Sequence, residues 1–197
     1  MIYTIQRQLV FVGKFFRFPR QIGAIAPSSP LLAKEIVRLA NVAHSQTIVE
    51  FGPGTGAFTK EILAEMPQNA RLLAVEADPN LALLLRKKFD KAVIAAGSAQ
   101  KIQRIMKAHR FEAADCIISG LPWASFEPQL QDEILMEAEA VLKPGGKFAA
   151  FGYVHALTLP GAKRFRQQLH RIFGPVQVSR VIWANVPPAV VYCCTKK

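Results

Sequence analysis

The run Ile48-Val49-Glu50-Phe51-Gly52-Pro53-Gly54-Thr55-Gly56 holds the residue types best suited to chemistry in this 197-residue chain. A β-branched, apolar run leads into three glycines at alternate positions, and a helix-like segment, Ala57 to Met66, follows at once. The pattern predicts a strand, a tight turn and a helix start. Glycine lets backbone approach a ligand without interference from a Cβ. The free N–H groups of a helix start favour electron-rich ligand atoms. A nucleotide-like ligand is the expectation.

Glycine spacing alone does not say which one, because Gly52, Gly54 and Ala57 also fit the dinucleotide fingerprint. Glu50 separates the possibilities. A carboxylate two residues before the first glycine would repel a pyrophosphate and suits a cationic ligand. S-adenosylmethionine carries an ammonium and a sulfonium and no phosphate. A second acid, Glu76, ends the next β-like run, Ala70 to Val75. It follows the glycines by about 20 residues, where an acidic side chain binds ribose hydroxyls. Glu50, Gly52, Gly54, Gly56 and Glu76 together resemble motifs I and II of the Rossmann-like (class I) methyltransferases. After the third β-like run comes Gly97-Ser98-Ala99. Many relatives of this fold carry an aspartate there for the adenine amino group. Ser98 departs from that pattern but keeps hydrogen-bonding capacity. Phe58 is a candidate to pack on the adenine.

Ser119-Gly120-Leu121-Pro122-Trp123 closes the fourth β-like run. In sheets of this kind ligands sit at the carboxyl ends of strands. The proline–aromatic pair resembles motif IV of amine N-methyltransferases. A carbonyl of Gly120 or Leu121 would orient an attacking amine, and Trp123 would stabilise a cationic product by cation–π attraction. Ser119 is counted with the cofactor residues. Gly120 stands where rRNA adenine dimethylases usually carry asparagine. Tyr153 and His155 end the fifth run in the same phase, so they point the same way. Either is a candidate proton acceptor or phosphate ligand, with water as a third acceptor.

These residues need elements to position them. Strands are expected at Thr47–Phe51, Arg71–Val75, Ala92–Ala95, Ala114–Ser119 and Lys147–Gly152. Helices are expected at Ala57–Met66, Asn80–Phe89, Ala99–Ala108, Pro128–Val141 and Gly161–Ile172. Strictly alternating strands and helices imply βαβ units and a parallel sheet. Val176–Ile182 and Ala189–Cys194 lack a helix between them and should pair antiparallel. The fold class is therefore α/β: a seven-stranded, mostly parallel sheet with a terminal antiparallel pair.

Upstream, Thr4 to about Arg17 has the period of an amphipathic helix. Ile5, Leu9, Val12 and Phe16 share one face, and Arg7, Lys14 and Arg17 lie opposite. The loop from Phe18 through Arg20 to Pro27 leads to a helix capped by Ser28 or Ser29 and running to about Ala40. Residues 1–40 are expected to form a membrane-docking or lid segment and 41–197 the catalytic domain. An arm packed over its own domain is the alternative reading of the same apolar stripe.

Composition sets outer bounds. The apolar fraction of 51% is too high for disorder, and the net charge of +11 calls for an anionic partner, nucleic acid or membrane. Three cysteines, Cys116, Cys193 and Cys194, make no disulfide or zinc framework, and no metal is expected. Adjacent Cys193 and Cys194 should alternate faces of a strand. No window is long enough to span a bilayer, and the N-terminus lacks the pattern of a signal peptide.

Four segments carry a wider resemblance. They are Phe18-Pro19-Arg20-Gln21-Ile22-Gly23-Ala24-Ile25-Ala26-Pro27-Ser28-Ser29, the Glu50–Gly56 loop, Ser119–Ala124, and Trp183-Ala184-Asn185-Val186-Pro187-Pro188-Ala189. Over nearly its whole length the chain resembles the small, soluble-type bacterial phosphatidylethanolamine N-methyltransferases. The resemblance implies an N-terminal helix that docks on anionic membrane lipids and an enzyme that methylates a phospholipid headgroup amine. It implies a cytoplasmic protein held peripherally at the inner membrane face, feeding phosphatidylcholine synthesis. A basic arm near an anionic surface fits that expectation. Arg180 is a candidate for the lipid phosphate. An RNA adenine methyltransferase is the alternative. A regulatory module with an idle fold and a nicotinamide dehydrogenase fit the residues less well.

Overall fold

The computed structural model describes residues 28–197. The expected N-terminal helix, with Arg7, Lys14, Arg17 and Arg20, lies outside the described residues.

Seven strands form one sheet in the order β3-β2-β1-β4-β5-β7-β6. They are β1 (Thr47–Phe51), β2 (Arg71–Glu76), β3 (Ala92–Ala96), β4 (Ala114–Ser119), β5 (Leu142–Tyr153), β6 (Val176–Val178) and β7 (Ala189–Thr195). The first five run parallel, and β7 pairs antiparallel with both β5 and β6. This is the expected fold. The central strands are buried on both faces, which is why they are apolar runs rather than alternating ones.

Helices α1 (Pro30–Leu39), α2 (Ala57–Glu65) and α3 (Pro79–Lys88) cover one face. Helices α4 (Ile102–Ala108), α5 (Pro128–Val141) and α6 (Pro160–Phe173) cover the other. Proline starts α1, α3, α5 and α6, where its fixed φ suits the first turn and its missing N–H would have no helical partner. Ser29 caps α1 by accepting from Leu32 N at 3.2 Å.

Three expectations change. The division at residue 40 would set α1 apart from the catalytic domain. Instead Leu32, Ile36 and Val37 are buried in one cluster with Ile48, Cys116 and Val191, so α1 belongs to the core. The sixth strand stops at Val178 rather than Ile182. There the Ser179 hydroxyl accepts from Val191 N at 2.9 Å and interrupts the ladder, and only an isolated bridge, Ile182 to Ala189, follows. Arg180 lies exposed in that interruption. The segment 99–108 is a 3₁₀ turn, Ala99–Lys101, followed by α4 rather than one helix. Cys193 and Cys194 do alternate: one faces the α1 side and the other the α5 side. Burial pushes the Cys116 and Cys194 thiols up to about 12, so they behave as small apolar groups.

Candidate active site

Parallel register aligns the ends of five strands on one edge. Phe51 pairs with Val75 and Ser119, Glu76 with Ala96, and Ser119 with Ala150. The edge therefore gathers Glu76 and Tyr153 at strand ends and Gly52, Ser98 and Gly120 just beyond them. It is the carboxyl edge where ligands of open α/β sheets bind.

Glu50 is fully buried near the end of β1. Its Oε2 accepts from Thr59 Oγ1 at 2.7 Å, and its Oε1 has no partner among the described residues. Burial pushes the carboxyl up to about 8, the Thr59 hydroxyl opposes the rise, and the neighbouring charge of Glu76 adds to it. A buried carboxyl oxygen without a partner is what a cationic ligand would complete. Thr59 escaped the sequence reasoning. Its signal is a polar residue on the buried face of a helix, one turn after Gly56.

Glu76 ends β2 with 2% exposure. Its Oε2 accepts from Gly54 N at 3.1 Å and its Oε1 from Asp78 N at 3.0 Å. Burial raises this carboxyl, against the backbone bonds from Asp78 and Gly54. Glu76 thus holds the loop at Gly54, while Glu50 is tied to the helix that follows it. Gly52 turns it at φ +66°, where a Cβ would lie 2.8 Å from Leu121 Cδ2. The residues present fit S-adenosylmethionine.

Ser98 lies at the end of β3 as expected. Its hydroxyl is engaged locally, donating to Gln100 Oε1 at 3.0 Å and accepting from Gln100 N at 3.3 Å. Phe58 is 4% exposed and edge-on to Phe151 at 5.7 Å, which places it in the core rather than against an adenine.

The motif after β4 differs most from expectation. Trp123 is 2% exposed and stacks on Phe165 at 4.4 Å, with Phe126 and Phe148 at its edges. Its ring is a core residue, not an open wall for an amine. Its Nε1 donates to Ser119 Oγ at 3.0 Å, so Ser119 holds the tryptophan rather than facing the cofactor. The turn is pinned further by Gln131, buried in α5. Gln131 Nε2 donates to Trp123 O at 2.7 Å and to Gly161 O at 3.0 Å. Of the two carbonyls proposed for the amine, Leu121 O accepts from Trp123 N at 3.0 Å, while Gly120 O accepts from no described residue. Gly120 itself sits against the cofactor loop: a Cβ there would meet Gly52 O at 2.6 Å. A side chain in place of Gly120 would force the two loops apart.

Tyr153 and His155 do point the same way, with rings stacked 5.7 Å apart at 13°. Burial pushes the Tyr153 phenol up to about 12, so it stays protonated near neutrality and can donate a hydrogen bond but not collect a proton. His155 is exposed beside it. Arg180 is remote in sequence from this pair. It lines a groove of about 510 Å³ with Leu31, Arg38, Val178 and Ile182.

Known proteins are similar to this chain in sequence and in fold. The chain is 32% identical to an ornithine lipid N-methyltransferase of Singulisphaera acidiphila over 188 residues, 94% of each chain. The chain belongs to that enzyme's methyltransferase family. A family model described as ribosomal RNA adenine dimethylase matches residues 27–109 of the methyltransferase and stops short of Gly120–Trp123. A dimethyladenosine transferase of Saccharomyces cerevisiae is 38% identical over 77 residues, 39% of this chain and 23% of that one. Among solved structures, the O-methyltransferase TomG from Streptomyces achromogenes, in complex with SAM, superposes with TM-score 0.70 at 16% identity, covering 96% of this chain and 89% of its own. An O-methyltransferase from Bacillus cereus in complex with SAH superposes with TM-score 0.69 at 16% identity over 95% and 90%. The chain has the fold of, and is, an S-adenosylmethionine-dependent methyltransferase.

Proposed function

We propose that the methyltransferase modifies the headgroup amine of a membrane lipid, phosphatidylethanolamine and its partly methylated forms being the preferred acceptors. The observation that carries this reading is the match to a lipid N-methyltransferase along 94% of both chains. The likeness to adenine dimethylases ends before the acceptor motif, and the glycine at 120 packs on Gly52 O, where an asparagine has no room. Ornithine lipid is a second reading, because the relative's own substrate carries an amine too.

S-adenosylmethionine supplies an electrophilic methyl group. The neutral amine nitrogen forms a bond to that carbon as the carbon–sulfur bond breaks and the electron pair leaves on sulfur. This chain's residues contribute mainly position and desolvation. Glu50 and the Gly52–Gly56 loop hold the methionine end, and Glu76 holds the ribose. Gly120 O orients the amine by accepting one of its N–H bonds. Tyr153, held protonated, donates to the headgroup, and His155 takes the proton that the ammonium sheds. Arg180 is assigned to the lipid phosphate. The membrane association itself is proposed to be peripheral, at the cytoplasmic face. Among the described residues no helix is long and apolar enough to cross a membrane.

The test uses labelled S-adenosylmethionine with vesicles containing phosphatidylethanolamine, vesicles containing ornithine lipid, and RNA in parallel. Label in the phosphatidylethanolamine fraction is the expected result. Label only in ornithine lipid would shift the acceptor, and label only in RNA would overturn the lipid reading.

A further inference from the structure

Three large apolar side chains stand in water on the two segments that one hydrogen bond joins. Trp183 is 73% exposed, Val186 69% and Leu31 56%. Exposed apolar residues are ordinary when scattered singly, but a cluster marks an interaction surface. The bond at its centre runs from Ser29 N to Asn185 Oδ1 at 2.8 Å. Asn185 is itself 2% exposed, and its Nδ2 donates to Pro187 O at 2.7 Å. A buried amide therefore locks the 183–188 loop to the start of α1. The apolar side chains project from a braced support, not from a slack loop.

The loop also borders the acceptor side of the site. Pro188 O accepts from Val154 N at 2.8 Å, and Ala189 pairs with Tyr153 across the β5–β7 ladder. Beside the apolar side chains lie cations. Arg180 and Arg38 line the adjoining groove, and Lys34 follows Leu31 by one helical turn. Arg38 is paired with Glu35 at 2.9 Å, whereas neither Lys34 nor Arg180 pairs with an acid among the described residues. Indole beside basic side chains is the combination that settles at the boundary between water and an anionic bilayer.

We propose that Trp183, Val186 and Leu31 form a rim by which the protein seats on a bilayer carrying anionic phospholipid, with the Tyr153 end of the site turned towards the headgroups. The inference rests on the lipid-acceptor reading and adds the surface that meets the lipid. Insertion of this rim puts the acceptor amine within reach of an edge that would otherwise open to bulk water.

The two tryptophans make the test direct, since Trp123 is sealed in the core and Trp183 is not. The full chain is titrated with vesicles of phosphatidylcholine and phosphatidylglycerol while emission is followed. A blue shift is expected, with quenching by bromine-labelled acyl chains, and both are expected to vanish in Trp183→Phe. Val186→Glu is expected to weaken vesicle binding by about tenfold to a hundredfold, the range for one buried apolar side chain. It should leave the melting temperature and transfer to a dispersed short-chain amine lipid unchanged. Sedimentation with vesicles but no change in Trp183 emission would overturn the rim, as would a shift produced by RNA and not by vesicles. Trp183 insertion without any labelled lipid would support the rim and count against the substrate, so the two failures are distinct.

Discussion

The cofactor half of the ligand edge and the acceptor half treat their buried polar groups in opposite ways. In the first, Glu50 keeps one carboxyl oxygen without a partner, and burial holds a proton on it to about pH 8. In the second, the Ser119 hydroxyl, the Trp123 indole N–H and the Gln131 amide are all bonded to one another's neighbourhood. A buried, incompletely paired acid costs stability unless a ligand completes it. A closed network fixes shape instead. The donor half keeps an unpartnered acid, and the acceptor half stores a geometry.

The sharpest way to break that contrast is Glu50→Gln. Removing the charge should weaken S-adenosylmethionine binding by about a hundredfold, measured by calorimetry, as expected when one member of a buried charge pair is lost. The free protein should gain up to about 4 kcal/mol at pH 8, read from chemical denaturation. The sign follows from the raised carboxyl. Between its ordinary value of 4.5 and about 8 the folded chain holds a proton that the unfolded chain has released. Stability of the free protein therefore falls as pH rises through that window. Cofactor affinity moves the other way, because pairing with a cation requires that proton to leave. Binding should tighten by up to about tenfold per unit as pH rises towards 8, and Glu50→Gln should flatten the profile. A flat wild-type profile would show that Glu50 does not meet the cation.

The next largest effect lies where the halves touch. Gly120→Asn restores the residue of adenine dimethylases but drives a side chain into Gly52 O. The loops must separate, and a loss of about 1–3 kcal/mol is expected, as for other overpacked sites. Cofactor affinity should fall together with turnover, and no RNA methylation should appear. A variant that kept affinity and lost only turnover would show that the two loops move independently.

A smaller, purely structural effect is expected inside the acceptor half. Gln131→Leu removes the amide donor shared by the Trp123 and Gly161 carbonyls, leaving Trp123 O only its 3.3 Å bond from Phe126 N. The cost should be about 1–3 kcal/mol. That lowers the melting temperature by about 2–4 °C per kcal/mol in a domain of this size. Cofactor affinity should stay unchanged, since neither carbonyl touches Glu50 or the glycine loop. Loss of affinity would contradict the separation of the halves.

The same contrast explains what the sequence made legible. The cofactor half is local: Glu50, the glycines and Glu76 lie within one βαβ unit, so spacing alone singles them out as candidates, and it located every strand up to β5. The acceptor half is assembled from distant segments. Gln131 reaches Trp123 and Gly161, and Asn185 reaches Ser29 across 156 positions. No periodicity announces such bonds. Trp123 misled for a related reason. An aromatic after a strand looks like a substrate wall until Phe165, from a helix 42 positions later, is seen stacked on it. Residues 1–27, which carry the expected amphipathic arm, are outside the described part of the chain.

The smallest effect decides the role of Tyr153. Its phenol and the His155 ring are stacked at the end of β5, and from spacing alone either was a candidate to take the amine's proton. Burial separates them, because a phenol held up to about 12 keeps its proton wherever the amine is reactive. Tyr153→Phe therefore removes one donated hydrogen bond and nothing else. The expected loss in kcat/KM is about twofold to tenfold, the scale of a neutral hydrogen bond, with the pH–rate profile unmoved. A proton acceptor would behave differently: its removal costs about a hundredfold to ten-thousandfold and reshapes the profile. If Tyr153→Phe fell in that larger range, His155 would be the supporting ring and the proton path would run through the phenol. A loss within tenfold leaves the proton to His155, and makes the half-buried tyrosine a gauge of headgroup position rather than a base.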